Sequence, residues 1–153
     1  MRALLQRVTY GAVTIAGFKK GEIGPGLVVL LGIKHDDTEK DLDYLVDKIV
    51  GLRIFTDVDG KFNDSLQEKD YGVLVVSQFT LYADTRKGRR PGFTDSARPE
   101  LAIPLYVQFI ERLQERGVVV QSGEFGADMQ VTIHNDGPVT ILLDSEEKIK
   151  RLS

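Results

Sequence analysis

Apolar and polar positions change rhythm several times along this chain. Residues 2–9 and 12–16 alternate loosely around Tyr10-Gly11 and predict a first pair of strands. The cluster GEIGPG at 21–26 reads as a turn. LVVLLGI at 27–33 is almost unbroken in apolar residues, the pattern of a strand covered on both faces. The period then lengthens. Leu42, Leu45, Val46, Ile49 and Val50 recur at spacings of three and four, predicting an amphipathic helix to about Arg53. Thr38 is its expected N-cap, with Asp41 at the third helical position completing a capping box.

RIFTDVDGKFND at 53–64 predicts a short strand, an Asp-Gly turn and a return. YGVLVVSQFTLYAD at 71–84 is the most apolar strand, with polar Ser77, Gln78 and Thr80 at its far end. Leu101, Leu105, Phe109 and Leu113 predict a second helix over roughly 99–116, ending before Gly117, with Pro104 early in it or at a kink. Strands at 118–122, 129–134 and 138–143 close one domain of residues 1–145, and a charged tail follows at 146–153. The order β-β-β-α-β-β-α-β-β-β, with the 53–64 hairpin counted once, predicts an α/β fold. Its sheets should be strongly twisted and largely antiparallel, with both helices packed outside.

The two candidate strands at the end of the chain are joined by NDGPVT, residues 135–140. Proline cannot donate to a ladder and belongs at a strand entrance, an edge or a bulge. The segment is either an ordinary connecting turn or a backbone device in its own right.

Composition narrows the chemistry. At 153 residues, with 42% hydrophobic and 28% charged positions, the chain reads as one globular domain without an apolar run of membrane-spanning length. The first residues lack a signal peptide's apolar stretch and cleavage site, so a cytoplasmic location is expected and no membrane partner. No cysteine is present, which excludes disulfides, thiol nucleophiles and cysteine-ligated zinc. A net charge of −3 gives no global push toward nucleic acid. TRKGRRPGF at 85–93 breaks that pattern with Arg86, Lys87, Arg89 and Arg90. It is either a solvated loop or a local phosphate-binding patch.

Catalytic side chains are scarce. His35 and His134 are the only histidines and read as surface residues, so no Ser-His-Asp constellation is evident. Asp57, Asp59 and Asn63 lack the spacing and closing glutamate of a calcium loop, and no other metal site or nucleotide-cradling motif is found. No cofactor is expected. What remains is SQFTL at 77–81, polar groups leaving a buried strand. An enzyme so equipped would work with backbone groups or with functional groups of its substrate.

SQFTLYAD at 77–84 and NDGPVT at 135–140 are similar to the two motifs of the D-aminoacyl-tRNA deacylases, the DTD family. MRALLQRV at the start, GPGLVVLLGI at 24–33, RIFTDVDGKFN at 53–63 and FGADMQV at 125–131 extend the resemblance to about residue 144. It implies a layered β/β/α fold and a homodimer. In each subunit Gly137-Pro138 would carry a cis peptide and reach into the partner's active site. There it would hold the substrate's α-ammonium and wall off L side chains, rejecting the wrong hand by collision.

The reaction so implied is hydrolysis of the ester between a D-amino acid and the 3′-terminal adenosine of tRNA. Ser77, Gln78, Phe79 and Thr80 would make up the catalytic site, with backbone N–H groups around Gln78–Thr80 forming the oxyanion hole. Attack by Thr80 is one option; assistance from the ribose 2′-OH is preferred, because no base is evident. Met129 and Asn135 would shape the pocket, and Arg86, Lys87, Arg89 and Arg90 would meet tRNA phosphates. The expected partners are tRNA carrying D-amino acids or glycine, and not DNA. A non-catalytic tRNA-binding module using the basic loop is the alternative.

Overall fold

The computed structural model describes residues 1–147, so most of the predicted tail at 146–153 lies outside the described residues. The N-terminal strand is longer than the pattern suggests. Arg2–Ile15 forms one strand, β1, where two were expected. Gly11 makes no turn; it lets β1 pass close over the core. A Cβ placed there would lie 2.7 Å from Val28 Cγ2. The turn comes later, at Ala16-Gly17, where both φ angles are positive (51° and 83°), as tight hairpin turns require. β2 (Phe18–Ile23) then pairs back on β1, through part of the predicted 21–26 turn. Its residues are mostly polar and exposed, which hid it from the apolar pattern.

β3 (Gly26–Gly32) and α1 (Glu39–Gly51) follow as predicted, and α1 carries the Thr38–Asp41 capping box. The hairpin is β4 (Phe55–Thr56) and β5 (Phe62–Asp64). A short helix, α2 (Leu66–Lys69), comes next, opened by a second capping box between Ser65 and Glu68. β6 (Gly72–Ser77) is shorter than the predicted 71–84 strand, because the chain breaks into a 3-10 turn at Phe79–Tyr82. α3 (Pro99–Glu115) tolerates Pro104 near its start, at the loss of one backbone bond. β7 (Val120–Ser122) and β8 (Gln130–Asp144) complete the order.

One six-stranded sheet runs β2-β1-β3-β6-β7, with β8 on the other side of β1. β1 pairs antiparallel with β2, β3 and β8, but β3–β6 and β6–β7 are parallel. The sheet is therefore largely antiparallel, as expected, but two of its pairs are parallel. The reason is topological: α1 and α3 each carry the chain back to the same end before the next strand begins. Leu27, Val29, Leu31, Val73 and Val75 face these helices and the main core. Val28, Leu74 and Val76 face the other way, against Val8, Val13 and Ile23 where the sheet curls over itself. Burial of both faces explains the unbroken apolar runs, and the result is the expected β/β/α layering.

Candidate active-site cleft

Ser77 ends β6 opposite Leu31, and the Gln78 N–H donates to the Leu31 carbonyl at 2.8 Å. The chain then turns. Leu81 N–H bonds the Gln78 carbonyl at 3.2 Å, and Ala83 N–H bonds the Thr80 carbonyl at 3.1 Å. Gly32 makes room for this turn, since a Cβ there would lie 3.0 Å from Leu81 Cβ and 3.1 Å from the Gln78 carbonyl oxygen. Phe79 and Thr80 begin the turn, so their N–H groups have no acceptor within it. The expected donors at Gln78–Thr80 thus narrow to two, because Gln78 has spent its own on Leu31. The Gln78 side-chain amide donates to the Thr80 hydroxyl.

The turn closes one end of a cleft of about 300 Å³. Leu31, Ile33 and Val76 form its apolar floor, and Ser77, Gln78 and Phe79 one wall. Residues 125–129 form the other, including Phe125, Asp128 and Met129. Gly123 leaves space for Met129, whose Sδ lies 2.5 Å from where a Cβ on that glycine would be. Asp128 is the only ionisable side chain lining the cleft among the described residues. His35 and His134 are exposed, and His134 packs its ring against Tyr10 at 5.4 Å. The described residues contain no cluster of histidine and carboxylate groups able to hold a metal ion.

The second motif joins no pair of strands. Residues 130–144 are one strand, and NDGPVT is an excursion within it. Gln6 pairs with Thr140 and Val8 with Asn135, so Asp136, Gly137, Pro138 and Val139 stand opposite Arg7 alone. The Gly137-Pro138 peptide is cis, as the resemblance implies, and both residues are exposed.

Two side chains hold the excursion in place. Buried Arg7 donates Nε to the Asp136 carbonyl at 3.0 Å and Nη1 to the Ile54 carbonyl at 2.9 Å. Asn135 accepts from Val139 N–H at 2.7 Å and donates to the Val139 carbonyl and the Thr140 hydroxyl at 3.2 and 3.0 Å. Asn135 therefore sits at the excursion and Met129 at the cleft. Arg7 was not anticipated, although it shares the inward parity of Ala3 and Leu5, where a charged residue needs a reason.

Within the chain, the two motifs are apart. Ser77 is level with Leu31 and hence with Ala3, whereas the excursion lies opposite Arg7. Four residues along a strand span about 13 Å, and three strand spacings also intervene. No residue of 135–140 lines the cleft.

The basic loop is closed at its base by paired backbone bonds between Asp84 and Gly92, at 2.8 and 2.9 Å. Arg86 folds back onto Asp84 through two bonds of 2.9 Å, and this guanidinium holds the Asp84 carboxyl down to about 2. An acid outside the basic run thus occupies one of its four cations. Lys87, Arg89 and Arg90 are exposed and have no acidic partner among the described residues.

The family model described as D-Tyr-tRNA(Tyr) deacylase matches residues 4–144. Curated proteins named D-aminoacyl-tRNA deacylase include one from Symbiobacterium thermophilum, 55% identical over 147 residues, covering 96% of this chain and 97% of that protein. Another, from Thermus aquaticus, is 55% identical and covers 97% of each. Among solved structures, one called c-Myc DNA Unwinding Element Binding Protein superposes with a TM-score of 0.89 at 46% identity, over 94% of this chain and 98% of that one. A probable eukaryotic D-amino acid tRNA deacylase, 23% identical, shares the fold with a TM-score of 0.81 over the same shares. The chain belongs to the D-Tyr-tRNA(Tyr) deacylase family.

Proposed function

We propose that this protein hydrolyses the ester linking a D-amino acid to the terminal adenosine of tRNA, releasing both, and that it treats glycyl-tRNA likewise. The observation that carries the reading is a cleft lined by no histidine, lysine or cysteine among the described residues, paired with two unengaged backbone donors at Phe79 and Thr80. As water attacks the ester carbon, the carbonyl oxygen becomes an oxyanion. Two preorganised N–H groups stabilise that charge more than they stabilise the substrate. The carbon–oxygen bond to the ribose then breaks, and its oxygen takes a proton. The neighbouring 2′-OH positions the water. Thr80 is a poor nucleophile here, because its hydroxyl meets the Gln78 amide and no base that could take its proton among the described residues.

The protein acts as a homodimer in which Gly137 and Pro138 of the partner subunit complete the cleft. Their exposure and their distance from their own subunit's cleft support this. Their carbonyls hold the α-ammonium, and an L side chain strikes them. Lys87, Arg89 and Arg90 meet phosphates of the acceptor end, and a tRNA substrate fits a cytoplasmic location. No helix among the described residues is long and apolar enough to cross a membrane.

The direct test compares release from D- and L-tyrosyl-tRNA. Release of D-tyrosine alone is expected; binding without release of either would make the protein a tRNA-binding module instead. Mixed dimers of a Pro138→Ala subunit with a Phe79→Pro subunit, which lacks one of the two donor N–H groups, test the assembly. They contain one cleft and one excursion that are both intact and facing, so activity should return. No recovery in verified mixed dimers would overturn assembly across subunits.

A further inference from the structure

We propose that Phe79 and Phe93 form a stacking platform for the unpaired RNA tail that precedes the terminal adenosine. The inference rests on the deacylase reading and adds to it where the strand lies outside the cleft. Phe79 borders the cleft and is 55% exposed. Its ring meets that of Phe93 edge-on, with centroids 4.9 Å apart and planes at 67°. The two rings make a corner with an open aromatic face.

The corner is built and not incidental. Ser96 fastens both halves: its hydroxyl donates to the Phe79 carbonyl at 3.0 Å and its N–H to the Phe93 carbonyl at 3.1 Å. Phe93 directly follows Gly92, which closes the basic loop against Asp84. The loop whose base adjoins the corner carries Lys87, Arg89 and Arg90, exposed and without acidic partners among the described residues.

Aromatic faces bordered by cations suit a single nucleic-acid strand, whose bases stack on the rings while its phosphates meet the charges. A duplex offers no free base face, so the occupant is the unpaired 3′ tail. A protein partner would need an apolar continuation, but the loop that leads into Phe93 is cationic. Stacking tolerates any base, so the platform would serve tRNAs of every identity.

The test compares two substrates, D-tyrosyl-tRNA and the D-tyrosyl ester of adenosine alone, which lacks the tail. For Phe93→Ala, the ratio of kcat/KM on tRNA to that on the small ester should fall roughly ten-fold or more, mainly through KM. Phe93→Trp should preserve the ratio. Phe93→Leu, which keeps bulk without an aromatic face, should lower it and so separates stacking from packing. An unchanged ratio in the alanine and leucine variants overturns the proposal. So does equal loss on both substrates with a fall in molecular mass by light scattering, which would give the corner to a second copy of the chain. A wild-type protein inactive on both substrates would instead sink the deacylase reading itself.

Discussion

The turn at Phe79–Tyr82 and the excursion at Asp136–Val139 both interrupt a strand, and they are wired in opposite senses. In the turn, the carbonyls of Gln78 and Thr80 are consumed by the neighbouring backbone at Leu81 and Ala83, and that of Phe79 by the Ser96 hydroxyl. What it leaves over are donors. In the excursion, side chains from outside do the holding: Arg7 takes the Asp136 carbonyl, and Asn135 takes both polar backbone groups of Val139. What it leaves over is a rigid, exposed Gly137-Pro138 step. A protein poor in catalytic side chains can thus present donors from one backbone segment and a fixed wall from another. Fold chemistry replaces side-chain chemistry.

The sharpest way to break this contrast is to offer a substrate with nothing for the wall to strike. Glycine has no Cβ on either side, so glycyl-tRNA should be hydrolysed and L-alanyl-tRNA should not. On matched acceptor stems, their rates should differ by more than the roughly 10–200-fold that a pocket achieves for one methylene. Equal resistance of both would mean that the D side chain is gripped, and the wall would lose its role.

The next effect comes from removing the wall's support. Arg7→Ala leaves the Asp136 and Ile54 carbonyls without their charged donor and should cost about 2–3 kcal/mol in urea unfolding. Discrimination between D- and L-tyrosyl-tRNA should weaken with it. Arg7→Lys should restore neither, because one ammonium cannot reproduce the guanidinium fork. Full stability and selectivity in Arg7→Ala would show that the excursion stands without its clamp.

On the turn's side, Thr80→Ala should keep its rate within about ten-fold, since the backbone donors persist. A loss on the order of 10⁴-fold, the scale of removing a triad member, would make the hydroxyl the nucleophile. The smallest effect belongs to the loop. Asp84→Asn should free Arg86 and steepen the salt dependence of tRNA binding by roughly 0.7–0.9 log units, the weight of one added phosphate contact. Titration will not mimic this. The folded Asp84 carboxyl is depressed to about 2, so its contribution is complete above the ordinary carboxylate range and is lost only as pH falls through that value. Near neutral pH, Arg86 should stay pinned, and a loop-dependent change in affinity there would contradict the pairing.

The sequence was most legible where one local rule decides the outcome. Thr38 and Asp41 fixed the start of α1, and the threes and fours after Leu42 fixed its buried face. It misled where partners distant in the chain decide. The apolar run through Tyr82 looks like strand until Gly32 and the Leu31 carbonyl end the ladder at Ser77. β8 looks like two strands, because nothing local reveals that β1 continues unbroken alongside. The parallel pairs β3–β6 and β6–β7 depend on helix crossovers that no strand pattern records. α2 could have been found, since Ser65-x-x-Glu68 is a capping signature. For the cleft, the motif residues were visible, but the donors that remain free and the acid that holds Arg86 required coordinates.

The pairing of β1 with β8 also sets a clock. Arg2 lies opposite Asp144 and Thr14 opposite Gln130, so β1 pairs along its length with a strand synthesised much later. At typical synthesis speeds the wait is on the order of ten seconds. Until then one side of β1 is a bare edge, open to any other unpaired strand. Nascent chains of this protein, and products truncated before Gln130, should be clients for chaperones in a way that the finished molecule is not. Contacts between such distant parts of the chain also predict slow spontaneous refolding for a domain of this size.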